Sequence, residues 1–182
     1  MTVLRSSLVL LTALASCGDP PQPPAAPAPP RVENAALGIA LAALPAGWTV
    51  VKNTPQALAL TRDGGLLDLS LGNEEPAGVN LVAAVERRQR EVEAAGGRFA
   101  GSKKLVTPWG QAFTARGRFA GATGEVEELA VLALHPGGWP RSLVAVYRYP
   151  VEEGVTARRS RELFELLSQL EVSRDGASGD PD

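Results

Sequence analysis

The segment 126–134 starts with polar residues and then becomes apolar on both of its alternating faces, and this property limits the possible folds strongly. Leu129 and Val131 alternate with Ala130 and Leu132, so an extended chain carries hydrophobic groups on both sides here. A strand of this kind is stable inside a sheet that is covered on both faces. The sequence therefore predicts a sheet with a packing layer on either side.

Further segments, separated by Gly and Pro, have the pattern of strands. The predicted strands cover residues 37–41, 48–52, 56–61, 66–71, 103–107, 111–119, 126–134 and 143–149. Leu37, Ile39 and Leu41 share one face of the first strand, and the segment 62–65 (Arg-Asp-Gly-Gly) is typical of a hairpin turn. Because the connections between successive strands are short, we expect antiparallel pairing.

Two segments have the residue spacing of amphipathic helices. Asn80 is a suitable N-cap for a helix that ends near Ala95, before two glycines. Its expected buried side consists of Leu81, Val82, Ala84, Val85 and Val92. A second helix is predicted over 156–170, with leucines at 163, 166, 167 and 170. The predicted fold class is α+β: an antiparallel sheet of about six to eight strands, flanked by the two helices.

The first sixteen residues have the organisation of an export signal, with Arg5 before a short apolar run over 8–14. The next residues, Leu14-Ala15-Ser16-Cys17, resemble the lipobox of bacterial lipoproteins. This resemblance implies cleavage before Cys17 and attachment of diacylglycerol to its thiol. The alternative is an ordinary secretory signal, which leaves the one cysteine of the chain unpaired in an oxidising compartment.

The composition divides the chain into four parts. Residues 1–16 are the signal peptide, 17–31 the lipidated cysteine and a Pro-rich tether, 32–173 the globular domain, and 174–182 a polar tail. Proline favours an extended tether, and a ligand for a proline-binding groove is the alternative. Lipid chains would anchor the protein in the cell envelope. By analogy with lipoprotein sorting, Gly18 favours the outer membrane, facing the periplasm, over the inner membrane.

The opening and closing segments of the domain resemble those of the Mog1/PsbP-like fold, including its DcrB-type envelope lipoproteins. The opening pairs the strand Leu37-Gly38-Ile39-Ala40-Leu41 with the following Leu44-Pro45-Ala46-Gly47-Trp48, and a helix over 164–170 closes the domain. Members of this fold serve as photosystem subunits, Ran-binding factors and envelope lipoproteins. The resemblance therefore implies an interaction module without enzymatic activity.

Residue types that carry catalysis are sparse, so we predict no catalytic residue, no cofactor and no metal site. The single histidine, His135, follows the strand 126–134 in a turn, where we expect exposure to solvent. Three acids, Glu125, Glu127 and Glu128, crowd the start of that strand, where we expect a solvated edge. The basic doublets 87–88 and 103–104 are also expected on solvated faces. The net charge of −2 argues against a nucleic-acid partner.

Two tryptophans are the candidate partner-binding residues. Trp109 and Trp139 both lie in turns rich in Pro and Gly, where a large aromatic side chain can anchor a protein partner. The alternative is that each ring packs against an end of the sheet. The leading functional hypothesis is a membrane-anchored, non-enzymatic interaction or accessory subunit. A module for a small apolar or lipid-like ligand is the second hypothesis, and a carboxylate-dependent hydrolase is the third.

Overall fold

The computed structural model describes residues 30–75, 77–122, 124–152 and 155–173. The predicted signal peptide, Cys17, nearly all of the tether and the polar tail lie outside the described residues. Within the described ranges, no helix has the length and apolar character needed to cross a membrane.

Ten strands, two α-helices and one short 3₁₀ turn make up the described part of the chain. In chain order they are β1 (Val32–Asn34), a 3₁₀ turn (Ala35–Leu37), β2 (Ile39–Leu41), β3 (Thr49–Thr54), β4 (Ala57–Arg62), β5 (Gly65–Glu74), α1 (Leu81–Ala94), β6 (Arg98–Thr107), β7 (Gly110–Gly121), β8 (Gly124–Leu134), β9 (Arg141–Pro150), α2 (Val155–Ser168) and β10 (Leu170–Val172). The main sheet has seven antiparallel strands in the order β3-β4-β5-β9-β8-β7-β6. The predicted α+β class is confirmed.

Strand β8 lies inside the main sheet, between β7 and β9, as its doubly apolar sequence predicts. On one face, Leu129 and Val131 belong to a buried cluster that includes Leu163 of α2. On the other face, Ala130 and Leu132 belong to a cluster that includes Ala84 and Val85 of α1. The two helices therefore cover opposite faces of the sheet. We call these the α2 face and the α1 face.

The hairpin and the first helix follow their local sequence signals. Strands β4 and β5 pair up to Arg62 and Gly65, so Asp63 and Gly64 form a two-residue turn. Both turn residues have positive φ, 46° and 74°, which suits Asp and Gly and the right-handed twist of a hairpin. The Asn80 side chain accepts a hydrogen bond from the backbone N–H of Ala83, at 3.1 Å. Asn80 is therefore the predicted N-cap of α1.

The prediction of a single first strand is wrong. Leu37 lies in the 3₁₀ turn, and Gly38 follows with φ of 63° before β2 begins. Strand β2 then joins a separate sheet in the order β1-β2-β10. The pattern Leu37-Gly38-Ile39 does not distinguish a turn from a strand, because Leu37 and Ile39 are buried in either arrangement.

Two smaller predictions about the helices are also wrong. The second helix ends at Ser168. Leu170 does not extend it but belongs to β10, where it pairs with Leu41 of β2. Val82 is 56% exposed, although we expected it on the buried side of α1. Its position is about 100° around the helix from Leu81, at the boundary of the buried stripe.

Candidate functional site

The structure brings Trp109 and Trp139 to the same end of the main sheet. Trp109 lies in the turn between β6 and β7, and Trp139 lies in the connection between β8 and β9. Both rings line one depression of about 420 Å³, together with Val79 and Leu134. The wall containing Val79 belongs to the connection between β5 and α1, whose Glu75 donates its backbone N–H to the Pro140 carbonyl at 2.8 Å. Neither tryptophan is fully buried.

Trp139 packs on the ring of His135. The two rings stack with centroids 4.4 Å apart and an angle of 12° between their planes. Gly38 lies against the same indole, because a Cβ at this position would be 2.6 Å from the Trp139 ring. The indole is thus held between the 3₁₀ turn and the imidazole, with part of its surface left in the depression.

His135 is buried, 2% exposed, so the expectation of a solvated turn residue is wrong. Its Nδ1 accepts the backbone N–H of Gly137 at 3.0 Å, which assigns the proton to Nε2. Nε2 then donates to the Leu37 carbonyl at 2.8 Å. Burial lowers the pKa of His135. Both ring nitrogens are engaged with the backbone, so the residue ties two connections together.

Trp109 is held by a short network within its own turn. Its backbone N–H donates to the Thr107 hydroxyl at 3.2 Å, and this hydroxyl donates to the Gly110 carbonyl, also at 3.2 Å. Gly110 has φ of 117°, a backbone conformation that favours glycine. One side of the ring packs on the cluster of the α2 face. The turn therefore presents a positioned, half-buried indole.

A wider groove of about 1150 Å³ continues from this depression, and the two share Gly78, Val79 and Leu134. Phe113 and Val82 line the groove, and Glu74, Glu75 and Lys104 contribute charge. We call the combined area the tryptophan surface, defined by Trp109, Trp139, Val79, Val82, Phe113 and Leu134. Its lining is mainly apolar with charged groups beside it, which is the arrangement of many protein-binding patches.

Of the three acids at the start of β8, Glu125 is exposed as expected, whereas Glu127 and Glu128 are buried, so the expectation of a solvated edge is wrong for these two. Glu128 is 1% exposed, accepts a hydrogen bond from Arg88 Nε at 2.8 Å and another from Arg148 Nε at 3.0 Å. Arg88, which we expected on a solvated face, therefore lies against the α1 face with its side chain only 14% exposed. Glu127 is 2% exposed and accepts the Thr156 hydroxyl at 3.0 Å. Adjacent strand residues point to opposite faces, so these carboxylates are not a facing pair of the kind that glycoside hydrolysis uses.

A buried ion pair on α2 was not predicted. Arg159 is 3% exposed and donates to Glu162 and to the Tyr147 hydroxyl, both at 3.1 Å. Its other terminal nitrogen donates to the Asp63 carbonyl in the β4–β5 turn, at 2.6 Å. In the sequence, the i, i+3 spacing of Arg159 and Glu162 resembles that of an ordinary surface ion pair. In the structure, the pair is buried and Arg159 connects α2 to the β4–β5 hairpin.

The described ranges contain no group of three or more His, Cys, Asp or Glu side chains placed to hold a metal ion. The tryptophan surface offers partly exposed apolar side chains of Trp109, Trp139 and Val82 for contact.

The chain matches no protein-family model and no curated protein sequence. Several solved structures are similar to it, among them the following three. The PsbP protein of the cyanobacterium Synechocystis sp. PCC 6803 (CyanoP) is 14% identical, with a TM-score of 0.55 over 88% of this chain and 99% of that one. A Bacteroides thetaiotaomicron protein is 9% identical, with a TM-score of 0.54 over 81% of this chain and 50% of that one.

The third is the Ran-binding protein Mog1p of Saccharomyces cerevisiae. It is 14% identical, with a TM-score of 0.50 over 79% of this chain and 94% of that one. At these identities, the likeness concerns the backbone architecture. The seven-stranded sheet with one helix on each face is the architecture of the Mog1/PsbP-like fold, and this chain has that fold.

Proposed function

We propose that this protein is a membrane-anchored cell-envelope lipoprotein whose domain is a non-enzymatic interaction or accessory subunit. The observation that carries the interaction role is the tryptophan surface. Two indoles from separate turns meet in one depression, and each is held by contacts that leave part of the ring accessible. Positioned aromatic side chains lose little conformational entropy on binding, so they are effective anchors for a protein partner.

The fold is compatible with this role. The yeast structure with the same architecture is named as a Ran-binding protein, so this scaffold can serve in protein binding. The anchor is supported by the lipobox-like segment at 14–17 and by the single cysteine of the chain. An anchored domain would search for its partner in a thin layer next to the membrane, which raises its effective concentration there.

The partner surface is tested by site-specific photocrosslinking in cells. A photoreactive amino acid replaces Val82, which is 56% exposed on the tryptophan surface, and Val51, which is 54% exposed on the edge strand β3. The two positions are matched in residue type and exposure. We expect a discrete adduct from position 82 and none from position 51. Equal adducts from both positions, or none from either, would contradict the proposal.

The anchor is tested separately by metabolic labelling with a fatty-acid analogue. We expect label on the native chain and its recovery with membranes. The Cys17→Ala variant is expected to lose the label and to leave the membrane fraction. A native chain without label would contradict lipidation but not the proposed partner surface.

A second candidate function is the binding of a small apolar or lipid-like ligand. The wider groove favours it, because Phe113, Leu134 and Leu81 line a space between the sheet and the start of α1. Native mass spectrometry of the full chain purified in mild detergent tests this function. A bound lipid that Phe113→Ser removes would support it, and a ligand-free spectrum would contradict it.

A further inference from the structure

Three arginines lie side by side at the end of the β6–β7 hairpin that is remote from Trp109. Arg98 on β6 is directly opposite Arg118 on β7, and Arg116 is two residues earlier on β7, on the same face. The three side chains line one pocket of about 340 Å³, together with Thr156 and the buried Glu127. We call this the arginine pocket.

The juxtaposition is unfavourable for folding alone. Side chains that are directly opposite in an antiparallel pair have Cβ atoms about 5 Å apart, and like charges in such positions destabilise a sheet. Within the described residues, no acidic group pairs with Arg98. The sheet therefore places the cations of Arg98 and Arg118 opposite each other. Within the described residues, no ion pair of Arg98 offsets their repulsion.

The other two arginines have only distant acidic partners. Arg116 is 3.9 Å from Glu127, and Arg118 is 3.8 Å from Glu127 and 3.9 Å from the exposed Glu125. Close charge-assisted hydrogen bonds are about 2.8 Å long. Arg116 also donates to the Ser160 hydroxyl, at 3.4 Å. Most of the other guanidinium N–H groups in the pocket are thus available to another acceptor.

Glu127 has a fixed place beneath these arginines. It accepts the Thr156 hydroxyl at 3.0 Å and is 2% exposed. Thr156 belongs to the first turn of α2, and the N-terminal end of a helix carries a partial positive charge. Three guanidinium groups against one carboxylate leave the lining with a net positive charge. The carboxylate orients two of the arginines without neutralising the pocket.

We infer that the arginine pocket binds a phosphate group, as a free phosphate ester or as the head group of a membrane lipid. The planar guanidinium fork matches phosphate oxygens and forms paired hydrogen bonds with them. A bound phosphate would place negative charge between Arg98 and Arg118 and remove their repulsion. The pocket volume is at the lower end of the range for small-molecule sites, which suits a phosphate with a small substituent. This inference does not rest on the proposed partner surface, which lies at the other end of the sheet.

The test uses the full chain, purified in a neutral detergent and titrated calorimetrically with glycerol phosphate. Arg98→Gln is compared with Arg90→Gln, which removes an exposed arginine of α1 outside the pocket. We expect Arg98→Gln to weaken binding at least about tenfold, since a charge-assisted hydrogen bond contributes that much or more. Arg90→Gln should leave binding unchanged. Absence of binding to the native chain, or equal loss in both variants, would overturn the inference.

Two further measurements complete the test. One distinguishes a lipid head group from a soluble ester, and the other tests whether Arg98 has only a structural role. Flotation with phosphatidylcholine vesicles, with and without phosphatidic acid, is measured on Cys17→Ala and on Cys17→Ala/Arg98→Gln. Recruitment that requires both phosphatidic acid and Arg98 identifies a lipid head group, whereas calorimetric binding without recruitment identifies a soluble ester. In phosphate-free buffer, Arg98→Gln should leave the unfolding midpoint unchanged or raise it. A lower midpoint together with absent phosphate binding would show that Arg98 serves only the sheet.

Discussion

The α2 face of the main sheet is filled with leucine and tyrosine side chains, whereas the α1 face carries mainly alanine, valine and glycine. Among the described residues, the buried cluster on the α2 face has 21 members and that on the α1 face has six. Small residues let α1 approach closely, and a Cβ at Gly117 would be 2.9 Å from Val92. However, α1 lies over β6, β7 and β8, so a cleft of about 310 Å³ remains beside it.

The two faces therefore differ in how much they stabilise the fold and in how accessible they are to solvent. The α2 face buries large side chains completely, and burial of apolar area is the main favourable term in folding. The α1 face depends more on close helix packing and on the ion pairs around Glu128. We therefore expect substitutions on the two faces to have unequal effects on the free energy of unfolding.

The largest expected effect comes from shortening a leucine on the α2 face. Leu129 and Leu132 lie in the same strand, on opposite faces, and are 1% and 3% exposed. Leu129→Ala should lower the free energy of unfolding by about 4 kcal/mol, because its tightly packed surroundings cannot close the cavity. Leu132→Ala should cost only about 2 kcal/mol, because Leu132 borders the cleft. Urea denaturation measures both, and equal losses would remove the distinction between the faces.

A smaller difference is expected for the buried ion pairs of the two faces. Arg159→Met should lower the free energy of unfolding by about 3 kcal/mol, because the Asp63 carbonyl loses a donor and Glu162 loses its closest one. Glu162 then keeps only the Tyr147 hydroxyl at 3.4 Å and the longer ion pairs with Arg158 and Arg62, at 3.7 and 3.8 Å. Arg88→Met should cost about 1 kcal/mol, because Arg148 still donates to Glu128 at 3.0 Å. Thermal unfolding of both variants provides the comparison.

A double variant serves as the control for this prediction. Replacing Arg159 by Met and Glu162 by Leu removes both charges together, and the double variant should be more stable than Arg159→Met alone. If it were less stable, the cost would come from lost packing of the long arginine side chain and not from a carboxylate that has lost its closest cation.

Local sequence patterns were sufficient for much of the fold. The hairpin at Asp63–Gly64, the cap at Asn80 and the interior position of β8 each depend on neighbouring residues, and the structure confirms them. Trp109 and Trp139 were recognisable as candidates because large aromatic residues in Pro/Gly turns are unusual. The depression that they share could not be predicted from their turns, since one of its walls comes from the β5–α1 connection.

The buried polar residues were missed because their partners are distant in sequence. Glu128 is covered by Arg88, 40 residues earlier, and His135 donates to Leu37, 98 residues earlier. A strand start or a turn looks exposed when only its neighbours are considered. The arginine pocket did leave a local signal, since Arg116 and Arg118 alternate on one strand face, but the opposing Arg98 depends on the strand register.

The tight packing of the α2 face should also appear in the ionisation of tyrosine. Both tyrosines of the chain lie there, 0% and 1% exposed. Burial raises the pKa of Tyr147, and burial together with the nearby Glu127 raises the pKa of Tyr149 to about 12. At pH 11 the native protein should therefore show less tyrosinate absorbance than the unfolded chain.

The unfolded chain in urea supplies the reference for this titration, with tyrosine pKa values near 10. Because the folded values are higher, the stabilisation from neutral tyrosine is complete below pH 10. It is lost as the pH rises from 10 through the folded pKa values. A native titration near pH 10 would show that water reaches the α2 face.

The smallest effect is expected at the end of the sheet, where His135 joins the 3₁₀ turn to the β8–β9 connection. Burial lowers the pKa of His135 from 6.5, so below that pH the unfolded chain binds a proton that the folded chain does not. The free energy of unfolding should then decrease as the pH falls below 6.5, by at most about 1.4 kcal/mol per pH unit, until the folded pKa is reached. His135 is the only histidine of the chain, so His135→Gln should abolish this slope while leaving the tyrosine titration unchanged. A His135 pKa of 6.5 or higher by NMR would instead show that the imidazole beneath Trp139 is open to water, and that the tight packing of the α2 face stops short of the tryptophan surface.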